Sequence, residues 1–294
     1  MSATPAESLA LHRVTALPLD LADPFYRPYT LLKLGAKESV DFYAARMADL
    51  VERWLATQPP AEWVLTAPAY HAIPAAANLL CEAVQALLVA RAMPGHAFSM
   101  VEMQHARVDA HVLGARELKR WEDYSRLGFE ERIASRARSD SLVADDPAFA
   151  GRAVLFVNDI NVTGAQRRGM ARYFERIGAA RIVWISVIDV DEDIGRREPQ
   201  LEFALNTSLR LSVDELAAVL ADRGLRFTSK GMGRLFAMAP AELARLLARI
   251  GAERRATVLR LAIAEGRFDG PDCAERMALL REACARDESA GARP

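Results

Sequence analysis

The residues best suited to chemistry lie in Asn158-Asp-Ile-Asn-Val-Thr-Gly-Ala-Gln166. Asp159 offers a carboxylate that can accept hydrogen bonds from ribose hydroxyls or act through Mg²⁺, which takes carboxylate, water and phosphate oxygens. Like charges repel, so Asp159 does not itself bind phosphate. Thr163 adds a hydroxyl donor, and Gly164 lets the backbone approach an anion closely. A helix beginning just after Gly164 would point unpaired N–H groups and a partial positive charge at such an anion. These types at this spacing suit a sugar phosphate.

The elements that must position these residues are legible on either side. Val154–Val157 is an unbroken apolar run, as expected of a strand buried on both faces. Met170, Tyr173, Phe174 and Ile177 recur three or four residues apart, which predicts a helix over Ala165–Ile177. Gly178 suits its left-handed cap, and Ile182–Ile188 predicts the next strand. The unit is β-loop-α-β, with its polar residues at the carboxyl end of the first strand, where open α/β sheets bind ligands. Upstream, Trp63–Ala67 predicts a short strand. The loop Pro68–Pro74 and a helix over Ile73–Ala92 follow, with Pro74 suited to the first turn. Phe98–Met103 reads as a further strand. Gln104–Phe149 is long, charged and without a sustained apolar face, the mark of a functional or mobile connection. Glu38–Thr57 predicts an amphipathic helix, and Leu9–Leu21 an edge strand interrupted by Pro18. From Ser212 the pattern is helical: Ser212-Val-Asp-Glu215 is a capping box, with Gly224 expected to close that helix.

The segment resembles the PRPP-binding signature of type I phosphoribosyltransferases: four apolar residues, two acids, three variable residues, Thr-Gly, a small residue and a hydroxyl residue. The chain matches at Val154–Val157, Asp159, Thr163, Gly164 and Ala165. It departs at Asn158, which replaces the first acid, and at Gln166, which stands where Thr or Ser is usual. The resemblance covers about residues 63–193. It implies an α/β fold with a parallel, Rossmann-like phosphoribosyltransferase core and a C-terminal helical region. The implied division is an N-terminal hood at 1–62, a core at 63–205 with its loop at 104–149, and helices at 206–294.

By the same resemblance the ligand is PRPP with Mg²⁺, and the phosphoribosyl group passes to a nitrogenous small-molecule acceptor with release of pyrophosphate. Asn158 and Asp159 would meet the ribose, Asp159 also stabilising the cationic ribose and meeting the metal, directly or through water. Asn161, Val162, Thr163, Gly164, Ala165 and Gln166 would hold the 5′-phosphate. Ala69, Tyr70, His71 and Ala72 would stand at the pyrophosphate loop. Lys119, Arg120, Tyr124 and Arg126 would close over the leaving group. Tyr29, Lys33 and Asp189 are candidates for the acceptor. Asn158 keeps a second class open, a non-catalytic PRPP or nucleotide sensor. The residues around Tyr124–Arg132 and Asn158–Gly164 also resemble phosphoribosyltransferase-like proteins of bacterial tellurium-resistance-type stress operons.

Composition narrows the classes. With 38 basic and 39 acidic side chains in 294 residues, net charge is −1, so no nucleic-acid-coating surface is expected. No apolar run approaches the ~18 residues of a membrane span. Cys81, Cys273 and Cys284 are scattered, which argues against a disulfide framework or zinc cluster. The expected setting is cytoplasmic, with a homodimer as the expected assembly.

Overall fold

The computed structural model describes residues 7–103, 128–131 and 146–291. Its five strands are β1 (Glu7–Val14), β2 (Ala61–Thr66), β3 (His96–Met100), β4 (Ala153–Asn161) and β5 (Arg181–Val190). They form one sheet in the order β1-β5-β4-β2-β3, and every pairing is parallel. The α/β class and the expected order of core elements are both observed.

Side-chain alternation sets the layers. Along β4, Leu155 and Val157 join the core under α2 (Lys37–Leu55) and α3 (Ala76–Ala90). Val154 and Phe156 face α4 (Ala165–Arg176), where they meet Met170, Tyr173 and Phe174. Both faces are covered, which is why the strand reads as a continuous apolar run. Phe149, at the end of the long charged stretch, is wholly buried in that second layer.

The topology creates a crevice. From β2 the chain crosses through α3 to β3 on one side; from β4 it crosses through α4 to β5 on the other. β2 and β4 are paired neighbours, so the sheet's switch point lies between their carboxyl ends.

Three local expectations are corrected. β4 does not stop at Asn158: Ile160 still pairs with Ile188 and Asn161 with Asp189. Asn158 and Asp159 therefore sit within the strand and point to opposite layers. Helix α3 begins at Ala76 rather than around Ile73, leaving Pro74 outside its first turn. The cause is tertiary: the Pro74 carbonyl accepts from Ser229 N at 2.8 Å. Finally, the capped helix after Ser212 ends at Ala221 with Asp222 as its cap, not at Gly224.

Beyond β5 come α5 (Glu192–Arg197), α6 (Leu201–Asn206), α7 (Val213–Ala221), α8 (Ser229–Ala237), α9 (Pro240–Arg249), α10 (Ala252–Glu265) and α11 (Ala274–Gly291). Helices α7 to α11 build a core of their own, and Leu34 from α1 (Arg27–Leu34) and Ile73 from the β2–α3 loop are part of it. No helix among the described residues is long and apolar enough to cross a membrane.

Candidate functional site

A cavity of about 310 Å³ opens at the switch point, near the lower end of small-molecule sites (~300–1,000 Å³). Asn158–Gln166 lines it along its whole length, with Ala69, Tyr70 and His71 opposite. Lys33, Glu202, Ser229, Lys230, Glu265 and Arg267 supply further polar lining.

Gly164 is the N-cap of α4 at φ 67°, a left-handed conformation that favours glycine. It turns the chain so that the first amides of α4, which have no partner within the helix, border the cavity. Arg168 Nη2 donates to the Thr163 carbonyl at 2.8 Å and fixes the loop from behind. Gly195 in α5 presses on the other side: a Cβ there would lie 1.9 Å from the Val162 carbonyl oxygen.

Strand alternation separates the two candidate ribose residues. Asn158 points to the α4 layer, where its Nδ2 donates to Gln166 Oε1 at 3.0 Å and to the Ile160 carbonyl at 2.8 Å. The two departures from the signature thus contact each other. A carboxamide at 166 supplies the acceptor that a carboxamide at 158 needs. Asp159 points to the α1 layer. Its Oδ1 accepts from Ile160 N at 2.9 Å, and its Oδ2 lies 2.5 Å from Lys33 Nζ. Lys33 Nζ is also 3.5 Å from Glu202 Oε1. All three side chains are buried. Burial alone would lower the Lys33 pKa, but Asp159 and Glu202 outweigh it and hold the ammonium above its ordinary value.

The remaining candidates are spread out. Lys33 reaches the cavity, but as the partner of Asp159. Tyr29 lies outside the cavity lining: it is wholly buried, with the Lys33 ammonium 5.3 Å from its ring centre. Asp189 also lies outside the lining. It accepts from Ser8 Oγ at 2.9 Å, Asn161 Nδ2 at 2.7 Å and Arg167 Nη2 at 3.1 Å. That network ties β1, β4, β5 and α4 together. Ala72 keeps only its amide near the cavity, donating to Glu265 Oε2 at 3.1 Å. Lys119, Arg120, Tyr124 and Arg126 lie outside the described residues.

The expected Mg²⁺ would find its protein donor at Asp159. Asp159 has each oxygen engaged by a donor, and no group of three or more His, Cys, Asp or Glu suited to a metal occurs among the described residues. These residues do not fit a cation held directly by the protein.

Glu202, Ser229, Lys230, Glu265, Arg267 and Gly195 were not anticipated. They belong to helical stretches whose local patterns give no sign that tertiary packing brings them to the crevice. The one local cue is Glu265-Gly266-Arg267, where Gly266 at φ 72° caps α10 and turns the chain.

No curated protein matches the chain. A family model described as PRTase ComF-like matches residues 7–280. That span takes in the sheet, the cavity loops and most of the C-terminal helices. The chain therefore belongs to the PRTase ComF-like family, a phosphoribosyltransferase-type family.

Proposed function

We propose that the chain is a PRPP-dependent phosphoribosyltransferase, moving the 5-phosphoribosyl group to a nitrogenous acceptor with release of pyrophosphate. The observation that carries this reading is the loop Asn161–Gln166, turned by left-handed Gly164 into the start of α4 and opening on a cavity at the switch point. The 5′-phosphate would sit on the α4 amides, and the ribose hydroxyls would face Asp159. The Asp159 carboxylate, held against Lys33 beside Glu202, would stand under the ribose. Such a charge favours a ribose that turns cationic as pyrophosphate departs. Magnesium enters this proposal only as a counter-ion carried by the ligand's own phosphates. A role like that of phosphoribosyltransferase-like proteins of tellurium-resistance-type operons is part of the proposal, on the resemblance around Tyr124–Arg132 and Asn158–Gly164.

The test is pyrophosphate release from PRPP across purine, pyrimidine and nicotinate-type acceptors. Turnover is expected with one class, and Asp159→Asn should lower it on the order of 10²–10³-fold with a smaller effect on affinity. A second reading, a PRPP or nucleotide sensor, is favoured by the engagement of Asn158 within its own loop and of Asp159 by Lys33. Tight PRPP binding without release, whatever acceptor is offered, would replace the enzyme by the sensor.

A further inference from the structure

The β2–α3 loop faces the cavity, yet its amides are already taken by an anion from the chain itself. Ala72 N and Ile73 N donate to the same oxygen, Glu265 Oε2, at 3.1 and 3.0 Å. The other oxygen, Oε1, is 3.1 Å from Arg267 Nε. Two convergent backbone donors and a guanidinium around one carboxylate are the groups that would recognise a phosphate oxygen. Arg267 is under-used in this arrangement. Its Nε is used only in the ion pair with Glu265, and its buried Nη2 makes no hydrogen bond among the described residues. Burial lowers its pKa, an effect that Glu265 partly offsets. A buried donor left without an acceptor is costly, and Arg267 stands in the wall of the cavity.

We infer that Glu265 is a built-in anion that occupies a diphosphate subsite, and that a diphosphate group binds by displacing it from the Ala72–Ile73 amides and taking over Arg267. This deepens the proposed function and rests on it for the identity of the ligand. The geometry favours a gate over a simple brace. Glu265 is the last residue of α10, followed by Gly266, so its side chain can swing aside without unwinding the helix. The C-terminal helices have other ties to this loop, including Ser229 N to the Pro74 carbonyl and the packing of Ile73 in their core. Opening the carboxylate contact does not detach them.

Calorimetry with inorganic pyrophosphate and, separately, ribose 5-phosphate tests the gate on the full-length chain. Removing the competing anion in Glu265→Ala should tighten pyrophosphate binding about 10- to 100-fold, the range for losing charge-assisted contacts. Glu265→Gln keeps the shape and loses the charge, so it should give a smaller gain in the same direction. Arg267→Met should weaken pyrophosphate binding and cancel the gain when combined with Glu265→Ala. Ribose 5-phosphate affinity should be unchanged throughout. A brace gives the opposite sign: a lower melting temperature with unchanged or weaker pyrophosphate binding in both Glu265 variants would overturn the inference. So would pyrophosphate binding to none of the proteins. The tightening without any ribose 5-phosphate binding would leave the gate standing and remove the phosphoribosyl reading.

Discussion

At the residue scale the cavity is governed by how Lys33, Asp159 and Glu202 share charge. Removing the ammonium from between two buried carboxylates leaves buried charge uncompensated and is strongly destabilising. Lys33→Met would leave Asp159 and Glu202 facing one cavity wall without their shared cation. The expected cost is about 3–5 kcal/mol of unfolding free energy at neutral pH, read by urea denaturation. Asp159→Asn leaves Lys33 with Glu202 and should cost less. The pH profile separates this from lost packing. In the wild type, the Lys33 pKa is raised on folding, so its contribution is complete below its ordinary value of 10.5 and is lost as pH rises through the folded value. In Lys33→Met that alkaline loss should vanish. A deficit that is constant with pH would mean the trio contributes through packing alone. The sequence named Lys33 and Asp159 separately. It could not pair them, because α1 and β4 meet only through the folded sheet.

At the element scale the β4–α4 unit was the most legible part of the chain. The apolar run, the helical spacing and Gly178, found at φ 76°, are local signals, and local signals survive folding. The exact end of β4 was hidden because Ile160 and Asn161 continue the strand only by pairing with Ile188 and Asp189. Pro74 was misplaced for a similar reason, a tertiary hydrogen bond to its carbonyl. Gly195 was invisible, since its importance is a close approach. A Cβ there would meet the Val162 carbonyl oxygen at 1.9 Å and its carbon at 2.8 Å. These are backbone atoms of the anion loop and cannot rotate away. Gly195→Ala should therefore push α5 and the loop apart, at about 1–3 kcal/mol, as overpacking does. Ribose 5-phosphate affinity should fall at least about tenfold, because the loop amides must converge on one anion to bind it. Calorimetry together with thermal melts checks both. Unchanged affinity in a destabilised protein would show that the loop is set by Gly164 and Arg168 without help from α5.

At the scale of the molecule, the cores on the two faces of the sheet and the C-terminal core meet around one cavity, and the question is whether the last is separable. The sequence pattern turns helical from Ser212, and its apolar stripes suit packing on the core or a partner contact. The contacts join those helices to the core. Leu34 and Ile73, both almost fully buried, lie in the C-terminal core. A Cβ on Gly35, at φ 89°, would fall 1.7 Å from the Arg226 carbonyl oxygen, so the end of α1 fits against the C-terminal chain with no room to spare. Thr228 Oγ1 donates to the Lys33 carbonyl, one residue before Leu34. Arg226 pairs with Glu82 on α3. Exposing Leu34 and Ile73 alone would forfeit about 3–6 kcal/mol at ~1.5–3 kcal/mol per side chain, against a usual domain stability of ~5–15 kcal/mol. It would also strip Lys33, the partner of Asp159, of the helix contacts that hold its backbone. A chain ending at 211 should therefore lack fixed tertiary packing, seen as a lost near-ultraviolet dichroism signal, and should not bind ribose 5-phosphate. The full chain should melt in one transition whose calorimetric and van't Hoff enthalpies agree. Two resolved transitions, or a truncated chain that folds and binds, would make the C-terminal helices an independent domain that merely roofs a self-sufficient site.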